Sequence, residues 1–249
     1  MKTSRVLPAL LVFSIAPLAS AQLTSVEQER FVQTQADVSS GQSSSDYDEA
    51  TTFGPFFRNL SSSITGANGA GATATAGQNS ALSSTLVTGT LSAGGAVQTG
   101  TTFITGESSA QSSLLYIFNL GQAAPIQFAA NGSLSYIGRD PNGEPSDLFG
   151  AARVKLINAI TEDVIAGFQL FSDPGTDSAS FNGMLPAGQY AILAFAQLHA
   201  FSADLLGPPP RSGSGDANVS FTLIVPSPAA PALLGIGLVA LSRRRRAMV

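Results

Sequence analysis

The sequence predicts a mostly β protein. It reads as an antiparallel β-sandwich of jelly-roll-like form with a flexible Ser/Gly/Ala-rich N-terminal part, flanked by a signal peptide and a short C-terminal hydrophobic helix. Three observations carry this. From Thr85 to Val225, short apolar or alternating runs recur without helical periodicity. Gly, Pro, Asn and Asp punctuate them as turn residues. Only 11 % of the chain is charged, and Ser, Thr, Gly, Ala and Gln fill the gaps, which suits extracellular β structure better than a helical enzyme.

The elements follow in order. Glu27 to Val38 fits a helix and a strand equally, with Phe31 and Val32 between polar neighbours. Ser39 to Ser45 reads as flexible. Phe53, Phe56 and Phe57 surround the Gly54-Pro55 turn, and the three rings are expected to dock on a core. Gly66 to Ser84 is a near-repeat of Gly, Ala, Thr and Ser, suited to a low-complexity loop or to a flat strand. Residues 22–84 are therefore expected to be partly disordered.

Residues 85–225 carry the sandwich. Thr85 to Leu91 and Val97 to Thr105 are β-branched and separated by Gly94-Gly95. Ser113 to Phe118 is a continuous run suited to a central strand covered on both faces. Ile126 to Ala130 and Ser133 to Ile137 flank Asn131-Gly132, a strong hairpin signal. Ala152 to Ala159 alternates, and Val164 to Phe171 follows a Thr161-Glu162-Asp163 turn. Ala179 to Leu185 leads through Pro186-Ala187-Gly188 into Tyr190 to Leu198, and Leu185 to Tyr190 resembles a turn-and-strand of secreted β-sandwich modules. Val219, Phe221, Leu223 and Val225 alternate with Ser220, Thr222 and Ile224 as a half-buried strand.

The two ends read as addresses. Lys2 and Arg5 precede an apolar stretch from Val6 to Leu18, and Ala19-Ser20-Ala21 has the small-x-small form of a cleavage site. Residues 1–21 are thus expected to be a secretory signal peptide, read by a translocon and a signal peptidase, with Gln22 as the new N-terminus. At the other end, residues 226–249 form a tail. Ala229 to Leu241 spans 13 residues, about 20 Å as a helix at about 1.5 Å per residue, against a bilayer core of about 30 Å. Arg243, Arg244, Arg245 and Arg246 are expected to stay on the cytoplasmic side. Pro226, Pro228 and Pro231 keep the preceding backbone extended and open to a protease.

Val225-Pro226-Ser227-Pro228, the run Ala232-Leu233-Leu234-Gly235-Ile236-Gly237-Leu238 and the arginine cluster together resemble the PEP-CTERM sorting tail. The resemblance covers roughly a tenth of the chain, and Ser227 stands where the family usually has Glu. It implies recognition and cleavage by an exosortase-type protease in the inner membrane of an exopolysaccharide-producing bacterium. It also implies transient inner-membrane contact, then release to the cell surface or extracellular matrix. A plain membrane anchor that is never removed is the alternative.

Of the 12 basic residues, six lie in the two ends, so the body keeps six against all 16 acidic residues, a formal charge of −10. That argues against nucleic acid and anionic lipid as partners, since phosphate binding needs a basic footprint. With no cysteine, neither a disulfide nor a thiolate metal site is available. His199, the one histidine, sits at the end of an apolar strand and reads as a packing or rim residue rather than a general base. No Gly-x-Ser-x-Gly elbow occurs.

Calcium is the metal the sequence best accommodates: Asp140, Asn142, Glu144 and Asp147 space oxygens around Gly143, although the same residues build ordinary turns. Asp173-Pro174-Gly175 is read as a turn. There is no tryptophan for a sugar platform; Tyr116, Tyr136 and Tyr190 are assigned to packing, and Tyr47 lies in a polar stretch. No catalytic residues and no cofactor are assigned. The expected function is that of an exported surface or matrix protein, exopolysaccharide-associated, with a structural or adhesive role. A calcium-dependent carbohydrate-binding module and a polysaccharide hydrolase are the alternatives.

Overall fold

Alternation of buried and open side chains builds most strands of this molecule. The computed structural model describes residues 22–66, 69–99, 105–137, 147–202 and 212–226. Twelve strands lie among them: β1 (Leu23–Val38), β2 (Gln42–Glu49), β3 (Phe56–Thr65), β4 (Gly71–Leu82), β5 (Leu86–Gln98) and β6 (Gly106–Leu120). Next come β7 (Ala124–Ile137), β8 (Asp147–Asn158), β9 (Val164–Phe171), β10 (Gly175–Leu185), β11 (Gly188–Ser202) and β12 (Ser212–Ile224).

Two six-stranded sheets result. Sheet one runs β2-β1-β6-β11-β8-β9 and sheet two β10-β7-β12-β5-β4-β3, with antiparallel pairing throughout. Taken alone, β5 to β12 place the order β5-β12-β7-β10 opposite β6-β11-β8-β9. That interleaving is the eight-stranded jelly roll. The mostly-β sandwich expected from the sequence is the fold.

Residues 22–84 differ from expectation. Instead of a flexible arm they supply two hairpins: β1–β2 continues sheet one beyond β6, and β3–β4 continues sheet two beyond β5. In β4, Ala72, Ala74 and Ala76 point inward and are buried, while Thr73 and Thr75 point out. Small side chains that resemble a loose linker are here the filling of a thin part of the core. Near this edge Phe56 is buried between two guanidinium groups, Arg30 at 5.5 Å and Arg58 at 5.7 Å from the ring centroid. Phe53 and Phe57 stay exposed, so one ring of the expected three docks.

Arg30 is almost fully buried with no carboxylate among its hydrogen-bond partners. It donates instead to Gln28 Oε1 (2.6 Å), Ser80 Oγ (3.1 Å) and the carbonyls of Thr52 and Gly54. Desolvation holds its pKa below the ordinary arginine value. Arg58 pairs with Asp48, joining edge strands β3 and β2 across the mouth of the sandwich.

The wide part of the core packs Tyr116 on Phe118 (5.6 Å between centroids) and Phe118 against Tyr190 (5.9 Å). All three are buried, as the assignment of Tyr116 and Tyr190 to packing requires. The hydroxyl of Tyr116 pairs with Ser25 Oγ at 2.8 Å, and that of Tyr190 donates to the Pro186 carbonyl at 2.9 Å. The run Ser113 to Phe118 lies centrally in β6 but is not covered on both faces. Leu114, Tyr116 and Phe118 are buried, whereas Leu115 and Ile117 are half-buried on the outer face.

Two glycine signals also resolve differently from expectation. Asn131-Gly132 is no hairpin: β7 runs through it, paired to β10 and β12 on both sides. Gly94-Gly95 likewise lies inside β5; a Cβ on Gly95 would stand 2.6 Å from Ser108 Oγ of the facing sheet. These glycines permit close approach rather than chain reversal. The Thr161-Glu162-Asp163 turn does join β8 to β9, with Glu162 at φ 61° and Asn158 Oδ1 accepting from the Ile160 and Thr161 amides.

Candidate functional site

Register determines which polar side chains meet on the outer face of sheet two. One row of paired positions crosses all six strands: Asn59, Gly77, Ser92, Asn218, Ser133 and Thr176. The row beside it reads Phe57, Asn79, Thr90, Ser220, Asn131 and Ser178. Both rows line a single cleft of about 790 Å³ that runs across the strands. Each strand contributes through the same rule: inward residues such as Leu91 and Val219 enter the core, so their neighbours face out.

Gly77 shapes the floor. A Cβ there would lie 2.6 Å from Asn59 Oδ1 and 2.8 Å from Ser92 Oγ, so its absence lets those two side chains lean together over the strand. Ser220 Oγ donates to Asn131 Oδ1 at 2.9 Å, which orients that amide. The lining carries amides and hydroxyls, each able to donate and accept. Asp177 on edge strand β10 is the one charged residue in the lining among the described residues, and it accepts from the Ser178 amide at 2.7 Å. At the opposite end, Phe57 is 61 % exposed.

The imidazole is elsewhere. His199 lies half-buried on β11 of sheet one, with Nε2 2.9 Å from Glu107 Oε1 on neighbouring β6, so no histidine lines the cleft. Among the described residues no group of three or more His, Asp or Glu side chains is arranged to hold a metal.

The residues singled out in the sequence fall as follows. Asp140, Asn142 and Glu144 lie outside the described residues, and Asp147 opens β8, its backbone paired with Phe201. Ala19, Ala21, Ser227, Pro228 and the four arginines also lie outside. Gln22 is exposed immediately before β1, and Val225 is buried immediately after β12. The Leu23 amide donates to Ser84 O (2.8 Å) and the Val225 amide to Thr85 O (2.9 Å), so one short turn holds both limits of the fold.

The cleft itself was not read from the sequence, which set Phe57 on a core and Asn131-Gly132 in a hairpin turn. Its signal is the polar half of each alternation, Thr88-x-Thr90-x-Ser92 in β5 and Asn218-x-Ser220-x-Thr222 in β12. That pattern shows an open face, while the joining of six such faces depends on pairing that spans much of the chain.

No family model matches the chain, and no curated protein matches it. Solved structures similar to it include infectious bursal disease virus, Gx strain, with 11% identity over 93% of this chain and 76% of that one, at a TM-score of 0.20. The VP2 subviral particle of the same virus gives 12% identity, 91% and 74% coverage, and a TM-score of 0.17. Similarity this low carries no argument about function.

Proposed function

We propose that this chain is an exported cell-surface or extracellular-matrix protein with a structural or adhesive role, associated with exopolysaccharide and processed at both ends. The observation that carries the reading is the match between the limits of the described strands and the two expected processing signals. The first residue of β1, Leu23, follows the expected cleavage site by two positions, and its amide is already hydrogen-bonded. Val225, the last buried residue among the described ones, is the first of the Val225-Pro226-Ser227-Pro228 motif. A protease acting at either signal would therefore cut beside the sandwich without removing a strand among the described residues. The acidic body adds solubility outside the cell.

Intact-mass analysis of the protein from its native host tests this. The expected mass is that of a chain beginning at Gln22 and lacking the arginine cluster. A full-length chain resident in the inner membrane, or one found in the cytosol, would overturn it.

A further inference from the structure

We infer that the cleft across sheet two is a binding site for an uncharged polysaccharide chain laid across the strands. The inference deepens the adhesive reading above and rests on it only for the natural source of the ligand. Its first support is the chemistry of the lining. Asn59, Asn79, Asn131 and Asn218 each offer a carbonyl acceptor and an amide donor, and the serine and threonine hydroxyls offer both. A sugar hydroxyl also donates and accepts, so a surface made of such groups pairs with it in several orientations.

Charge then narrows the class. Among the described residues no lysine or arginine lines the cleft, and Asp177 stands at one end. A phosphate, sulfate or uronate polymer would be desolvated there with no cation to receive it. Apolar ligands fail on the opposite count, because burying this lining without partners leaves amides and hydroxyls unpaired.

Shape and rigidity complete the argument. Five inter-strand steps of about 4.8 Å give the cleft a length of about 24 Å, which suits an extended chain of several rings. The polar groups sit on strands paired on both sides in the four central positions, so little ordering is needed on binding. Phe57 supplies the flat apolar surface on which one face of a pyranose ring can rest. An extended peptide would more readily add to a sheet edge than cross six strands through side chains.

The test is affinity electrophoresis of the purified full chain in gels containing a neutral polymer (dextran, galactomannan, soluble β-glucan or amylopectin) or an acidic one (alginate, polygalacturonate). Retardation by at least one neutral polymer and by neither acidic one is expected. The double variant Asn79→Ala/Asn218→Ala and the single variant Phe57→Ala are each expected to bind that polymer about tenfold more weakly. Both are expected to keep an unchanged melting temperature, since all three side chains are exposed. Gln111→Ala, on the outer face of sheet one, serves as the control that keeps full retardation.

Free migration in every neutral polymer, stronger retardation by an acidic one, or equal retardation of the cleft variants and the control would each overturn the inference. Because binding is read on purified protein, a chain that binds but is never exported refutes only the sorting proposal. A chain that is exported and processed but migrates freely refutes only the cleft.

Discussion

The ring edge of Phe168, on β9, lies 2.6 Å from where a Cβ on Gly132, on β7, would begin. Sheet two must come this close to sheet one for the ring to be buried. Gly132→Ala is therefore expected to cost about 1–3 kcal/mol through overpacking. Urea unfolding should show a lower midpoint at unchanged slope. In a Phe168→Ala background the same substitution should cost much less, because the two side chains compete for one space.

Arg30 and Arg58 face the same ring and should behave differently. Arg30 is buried and satisfies two loop carbonyls, Thr52 and Gly54. Arg30→Met is expected to destabilise by about 1–3 kcal/mol by leaving those acceptors unpaired. Faster proteolysis in the 50–55 segment would show that the loop has come loose.

Arg58 is half exposed, and so to a lesser degree is its partner Asp48. Screening limits such a pair to about 0–1 kcal/mol. Arg58→Ala should accordingly shift the urea midpoint only slightly, and the difference should vanish at about 1 M salt.

Alkaline pH should unfold the protein through its buried tyrosines. Burial raises the Tyr116 pKa above 10.0, with the Ser25 hydrogen bond a smaller opposing effect, and burial also raises Tyr190. A phenol that holds its proton more tightly when folded stabilises the native state below the unfolded value. That contribution is lost as pH rises through the folded value. Stability should thus be flat to about pH 10 and fall above it, and Tyr116→Phe should lessen the fall, as read from urea midpoints across that range.

Strands of the jelly roll were legible where a strand carries its own alternation. In β12 the buried Val219, Phe221 and Leu223 are spaced by two, and nothing further along the chain is needed to see it. The sequence reading failed wherever a residue's meaning lay in a partner far away. Gly132 signals a turn by local chemistry and proves to be room for Phe168; Ala74 and Ala76 suggest slack and prove to be core. The cleft was hidden for the same reason, since Asn59 and Thr176 belong to one row only through four intervening strands.

One turn, Ser83 to Leu86, receives the Leu23 amide at Ser84 and the Val225 amide at Thr85. Adjacent ends make the sandwich a self-contained cassette. Such a unit can be spliced into a surface loop of another protein, or sewn end to end and reopened elsewhere as a circular permutant, without any strand having to change its neighbours.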